Sequence, residues 1–216
     1  MLEHAKGKEP PCLTTYRATP GAGWGSVRGA DKQQVREAVC RDQGCLCVYC
    51  QRRIRPQEGS TFIEHWNPQS TGEEVLAWRN LLGVCSGSTG GEHHCDKARP
   101  PGSLLFLQPV EGLGPSPRKF LKYLAGGRLE AHAEAPAEVR RDIDVHLNLN
   151  AFNLQRARRE VYDLLRQVLG KDFSVRALRE ELRRHTASPG GELPEQAGMV
   201  RYQLERWLKK KQAARS

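Results

Sequence analysis

The chain has 216 residues, a formal net charge of +9, 38% hydrophobic residues and 27% charged residues. That balance argues against one large core and for a small braced unit joined to a helical part. No apolar run nears the roughly 20 residues a bilayer span needs, and MLEHAKGKEP at the N-terminus carries no apolar signal core. A cytoplasmic protein with no membrane contact is therefore expected, and its basic surplus points to a polyanionic partner, nucleic acid first.

Residues 1–30 are rich in Gly, Pro and Thr without periodicity. They read as an irregular arm packed through Tyr16 and Trp24. Residues 31–43 fit a short helix with Asp31 as N-cap and Val35, Ala38 and Val39 as its apolar stripe; Gly44 follows the end. STFIEH (60–65) reads as a strand, and 72–78 as a helical turn. SGSTGGE (86–92) reads as a flexible loop. Leu104–Leu107 and Phe120–Leu124 look like strands, and Gly126-Gly127 signals a hairpin. From Pro136 the pattern turns helical. The second of these helices carries Leu154, Ala157, Val161, Leu164, Leu165 and Val168 on one stripe and stops at Gly170. A third helix spans about 174–185 with Ser174 as N-cap, residues 186–193 form a loop, and a last helix opens at Pro194 and frays over KKKQAARS. The implied divisions are 1–43 (arm and helix), 44–101 (core unit), 102–135 (hairpin extension) and 136–216 (helical domain).

Seven cysteines without an export signal favour metal or catalytic use over a disulfide framework. Cys47-Val48-Tyr49-Cys50 has the tight spacing that aims two thiolates at one ion, and Cys85 and Cys95 supply a second pair across the SGSTGGE loop. A structural Zn²⁺ on Cys47, Cys50, Cys85 and Cys95 is expected. His93 and His94 are rival ligands, Cys45 is a possible competitor, and Cys12 and Cys40 are ordinary thiols. Between the pairs lies Glu64-His65, and Asn80 and Asp96 follow. Phosphodiester hydrolysis needs an activated water, a Lewis acid and stabilisation of the leaving oxygen. His65 suits the first role. Glu64 and Asp96 are hard oxygen donors suited to Mg²⁺ or Mn²⁺, and Asn80 would orient His65 or complete the metal shell. Arg52, Arg53, Arg55, Lys97 and Arg99 flank these residues and suit phosphate contacts. Trp66 suits either base stacking or core packing.

The order CxxC, FIEHWNP, WRNLLGVC and HHCDKAR resembles an HNH (His-Me finger) endonuclease. Within that superfamily it is similar to the nuclease subunit of Septu-type and retron-associated antiviral defence systems, the PtuB-like family. LNLNAFNLQRARREV and GELPEQAGMVRYQLERWL carry the likeness into the helical half. The resemblance implies an α+β fold with a zinc-braced ββα-metal unit and a C-terminal helical domain. It implies His65 as general base, Asn80 as the middle signature residue and the four cysteines as zinc ligands. It also implies a DNA or RNA substrate and a PtuA-like ATPase partner. Two positions depart from the pattern: Glu64 stands where many members have Asp or His, and Asp96 stands where His is usual, with His94 as the other candidate there. A non-catalytic zinc module that binds nucleic acid or protein, or a stand-alone HNH restriction or homing enzyme, are the competing expectations.

Overall fold

A computed structural model describes residues 1–68, 71–170, 173–186 and 191–214. The arm is more ordered than its composition implies. Pro11 occupies a first helical position, where its missing N–H costs nothing, and α1 runs Pro11–Arg17. Tyr16 and Trp24 pack against a small core of Leu13, Val35, Val39, Trp78 and Leu81. The expected stripe on α2 (Gly29–Asp42) is buried as Val35, Ala38 and Val39.

α2 leans on an antiparallel hairpin of β1 (Phe62–His65) and β2 (Leu81–Val84), in which His65 stands opposite Leu81 and Glu64 opposite Leu82. Gly83 lets the two elements approach: a Cβ there would lie 2.9 Å from Val39 Cγ2. The Gln43 side chain fills the same seam, accepting from the Gly83 N–H and donating to its C=O, both at 2.8 Å. The segment SGSTGGE folds as part of a small hairpin, β3 (Ser88–Thr89) with β4 (Glu92–His93), rather than as an open loop. After it comes a single 3₁₀ turn, Cys95–Ala98.

The expected hairpin around Gly126-Gly127 is present as β5 (Leu121–Tyr123) and β6 (Leu129–Ala131). Leu104–Leu107 is not a strand. The N–H groups of Phe106 and Leu107 both donate to the buried Asp142 carboxylate at 2.8 Å, so a side chain takes the bonds a partner strand would have taken. Asp142 opens a π-helical turn (Asp142–His146) that continues α3 (Ala137–Arg141).

α4 (Phe152–Leu169) is rotated from the face its apolar stripe implied. Its buried residues are Leu154, Arg158, Leu165 and Leu169, while Leu164 and Val168 are exposed. Arg158 sets this rotation: its guanidinium is buried, donating to the carbonyls of Gly127 and Leu149. α5 (Val175–Arg184) begins as expected, with Ser174 Oγ accepting from the Ala177 N–H at 3.1 Å. The last helix, α6 (Ala197–Ala213), starts three residues after Pro194, because Gln196 adopts a left-handed conformation and donates to the Cys50 carbonyl at 3.1 Å. Its lysines at 209–211 belong to the helix and are not a frayed tail. Residues 187–190 of the expected loop over 186–193 lie outside the described residues. One buried cluster runs from Cys47 through Leu121 and Leu154 to Leu204, so the thiols, the β5–β6 hairpin and the helices share a core.

Gly127 shows how tightly α4 docks on the hairpin. Its φ is +86°, and a Cβ would fall 2.0 Å from the Gln155 carbonyl oxygen. Gly127→Ala combines left-handed strain with a backbone clash, so urea unfolding is expected to show a loss of about 2–5 kcal/mol.

Candidate functional site

The first cysteine pair sits on a tight turn. The Gln51 N–H donates to the Cys47 carbonyl at 3.0 Å, and the Val48 N–H is tied to Gly83 of β2 at 3.1 Å. The second pair is brought together by the β3–β4 hairpin between its members, and Cys95 itself takes a left-handed φ of 54°. The four sulfurs lie within 4.8 Å of one another. Cys47 to Cys95 is 3.8 Å and Cys50 to Cys85 is 3.7 Å. Zinc–sulfur bonds of ~2.3 Å in a tetrahedron give sulfur–sulfur edges of about 3.8 Å, so the cluster fits Zn²⁺. Hydrogen bonds from Cys47, Cys50 and Cys95 push the Cys85 thiol far down. Bonding to Cys47 and Cys85 pushes Cys50 up, and burial does the same for Cys95.

His94 belongs to this cluster. It is fully buried, with Nδ1 3.2 Å from Cys95 Sγ and Nε2 3.0 Å from Thr89 Oγ1. His93 is exposed. Arg52 extends the network by donating to Thr89. Cys45, Cys40 and Cys12 are free thiols outside the four-sulfur group.

Glu64, His65, Asn80 and Asp96 gather at one end of the β1–β2 hairpin. His65 Nε2 lies 2.9 Å from the Val75 carbonyl oxygen. A carbonyl only accepts, so Nε2 carries the hydrogen and Nδ1 of the neutral ring keeps its lone pair for a proton. Burial lowers the His65 pKa below the usual 6.5, against the pull of Val75 and Asp96. The edge of the ring meets Trp24 at 5.7 Å between centroids.

Asn80 is tied into the loop that carries Val75. Its Oδ1 accepts from the Asn67 N–H at 2.8 Å, and its Nδ2 donates to the carbonyls of Asn67 and Glu74 at 3.3 Å each. It staples both ends of the loop that carries Val75. Asn80→Ala removes those bonds, so urea unfolding is expected to show a loss of about 1–3 kcal/mol, with zinc content unchanged by metal analysis.

Glu64 is buried between opposing influences. Arg99 pairs with it, yet burial and the Asp96 carboxylate in contact with it raise its pKa to about 8. A second carboxylate beside it makes the ionised form of Glu64 costlier. Carboxylate oxygens are the donor type Mg²⁺ and Mn²⁺ take, while among the described residues the group of three or more metal-ligating side chains is the four cysteines. Tyr49, from within the CxxC turn, adds a hydroxyl 3.5 Å from Glu64 Oε1. The spacing of the C-x-x-C turn by itself assigns it no role.

The flanking basic residues divide. Arg99 is turned inward, contrary to its expected phosphate contact, and its guanidinium is spent on Glu64 and on the carbonyls of His65, Trp66 and Ser103. Arg53 donates to the Gly44 and Cys45 carbonyls. Arg55 is exposed but paired with Glu192 at 2.6 Å. Lys97 is exposed. Trp66 is a packing residue whose Nε1–H donates to the Leu107 carbonyl at 3.1 Å.

The chain is 30% identical over 95 residues to an Escherichia coli protein named retron Ec83 putative HNH endonuclease. That likeness supports a nuclease. The match takes in 39% of this chain and only 37% of that protein. No family model matches the chain. Among the described residues, no helix is long and apolar enough to cross a membrane.

Proposed function

We propose that the protein is a metal-dependent HNH endonuclease hydrolysing nucleic-acid phosphodiesters, with the β1–β2 hairpin and the Cys95–Ala98 turn as a minimal ββα-metal unit. The observation that carries this reading is the His65–Val75 hydrogen bond beside the Glu64–Asp96 carboxylate contact. His65 Nδ1 takes a proton from the attacking water, and Val75 holds the ring as that charge develops. Glu64 and Asp96 would hold a divalent cation, which would supply Lewis acidity at the phosphate. Zinc on the four cysteines would brace the site and take no part in the chemistry. Of the flanking cations, Lys97 and Arg55 are exposed and are the candidates for phosphate contact. As in the antiviral systems the sequence resembles, the nuclease would act as an effector beside a PtuA-like ATPase.

The test is cleavage of plasmid DNA and of single-stranded RNA by the purified zinc-loaded protein with Mg²⁺ or Mn²⁺. No cleavage of either, with zinc bound and the fold intact, would favour a non-catalytic zinc module. Copurification from the native host tests the ATPase, since recovery without one would favour a stand-alone enzyme. A pH profile adds a second check. A base must be unprotonated to act, and burial depresses the His65 pKa. At saturating divalent cation, which keeps Glu64 ionised, the rate should therefore hold as pH falls through 6.5 and decline only at lower pH; a decline centred above 6.5 that persists at saturating cation would exclude His65 as the base.

A further inference from the structure

A second cationic site lies away from the carboxylates, in a groove of about 650 Å³ between α6 and the β5–β6 hairpin. Its walls carry Arg118, Lys119, Arg206, Lys209 and Lys210, and Tyr202 and His132 line it too. Acidic compensation is slight. Glu205 is the acidic residue in the lining, and both of its carboxylate oxygens accept from Arg118. Among the described residues, Lys119, Lys209 and Lys210 form no ion pair. Arg201, on α6 but outside the groove's lining, has its Nε buried without a hydrogen-bond partner; burial and Arg118 disfavour its charge, while Glu205 favours it. Like charges crowded in this way repel one another unless an anion joins them. The groove also offers aromatic surface: half-buried Tyr202 tilts against buried Tyr123, ring centroids 5.6 Å apart. Cations that follow a backbone, beside an aromatic ring for a base, are the equipment of single-strand binders.

We propose that this groove is a second nucleic-acid site, taking a single strand by its phosphates on Lys119, Lys209 and Lys210 with a base against Tyr202. It does not rest on the nuclease reading, because it concerns binding at residues outside the carboxylate site. The experiment is fluorescence anisotropy of a labelled oligothymidylate with full-length His65→Ala protein, in which binding is read without cleavage. Lys209→Glu/Lys210→Glu reverses two exposed side chains on the groove. Arg179→Glu/Arg183→Glu on α5 alters net charge equally at exposed positions elsewhere. At physiological salt, the groove pair should weaken binding by about tenfold or more and flatten the log–log salt dependence by about 1.4 for two lost phosphate contacts. Tyr202→Ala should weaken it about tenfold with little change in salt slope. The α5 pair should alter affinity by much less than the groove pair. Equal losses from both pairs, or an unchanged affinity for the groove pair with its melting temperature intact, would overturn the site. Displacement of the probe by thymidine monophosphate at equal nucleotide concentration would overturn the strand in favour of a free nucleotide.

Discussion

His65→Ala is expected to lower nucleic-acid cleavage by about 10²–10⁴-fold while zinc content and the far-UV spectrum stay at wild-type values. The separation is possible because His65 is not a zinc-cluster residue. Its packing debt is small: an edge contact with Trp24 and one hydrogen bond to Val75, so stability should fall by only about 1 kcal/mol. Among the described residues, neither neighbouring histidine can replace it. His94 is fully buried against sulfur, and His93 is exposed on β4. Glu64 is held by Arg99, with its pKa raised to about 8 by burial and Asp96. It would be a poor base at neutral pH without a cation and is committed to that cation with one. Cleavage that survives His65→Ala would move the base elsewhere; loss of zinc or fold in the variant would mean His65 is a structural residue.

The parts of the site that were legible in the sequence are those fixed by short spacing. Cys47 and Cys50 are two residues apart on a turn, and Glu64 and His65 end a strand whose partner begins just after Asn80, so their neighbourhood follows from local pairing. The second cysteine pair was legible only in outline, because the β3–β4 hairpin that closes its nine-residue gap has two-residue strands with little β signal. What sequence could not convey is which cations turn inward. Arg99 and Arg158 look like members of basic surface runs, yet each is buried because carbonyls from distant segments converge on its guanidinium. Such convergence has no periodicity. The same reason hides the Val75 carbonyl, a backbone group that any residue could supply. The exposed Leu164 and Val168 are the other side of the Arg158 placement, since one buried guanidinium rotates the whole of α4. Asp142 likewise suppressed a strand that the apolar run Leu104–Leu107 had advertised.

Cys47→Ser, or removal of zinc by a strong chelator, is expected to unfold most of the chain rather than the metal turn alone. The four sulfurs sit inside the principal core beside Val48, Tyr49 and Leu147. The Cys95 N–H donates to the Leu147 carbonyl at 2.8 Å, Asn148 Nδ2 donates to the His93 carbonyl at 2.8 Å, and Gln196 holds the Cys50 carbonyl. Loss of the ion should therefore release contacts to the segment leading into α4 and to the N-terminus of α6 as well as to β2. Structural zinc contributes about 10–16 kcal/mol of apparent binding energy in small sites, comparable with the whole stability of a typical domain of about 5–15 kcal/mol. Even a loss of ~5 kcal/mol should lower Tm by about 10–20 °C in a chain of this length. Cys12→Ser, at a thiol outside the cluster, should leave zinc stoichiometry at one per chain and move Tm by little. Calorimetry with metal analysis on the same samples separates the outcomes. A Cys47→Ser protein that keeps zinc and its wild-type Tm would show that the sulfur cluster is a set of packed thiols, and the carboxylate site beside it would then need another source of rigidity. If instead zinc and Tm fall together and cleavage with them, while His65→Ala loses cleavage alone, the brace and the chemistry are two separable metal sites built on one hairpin.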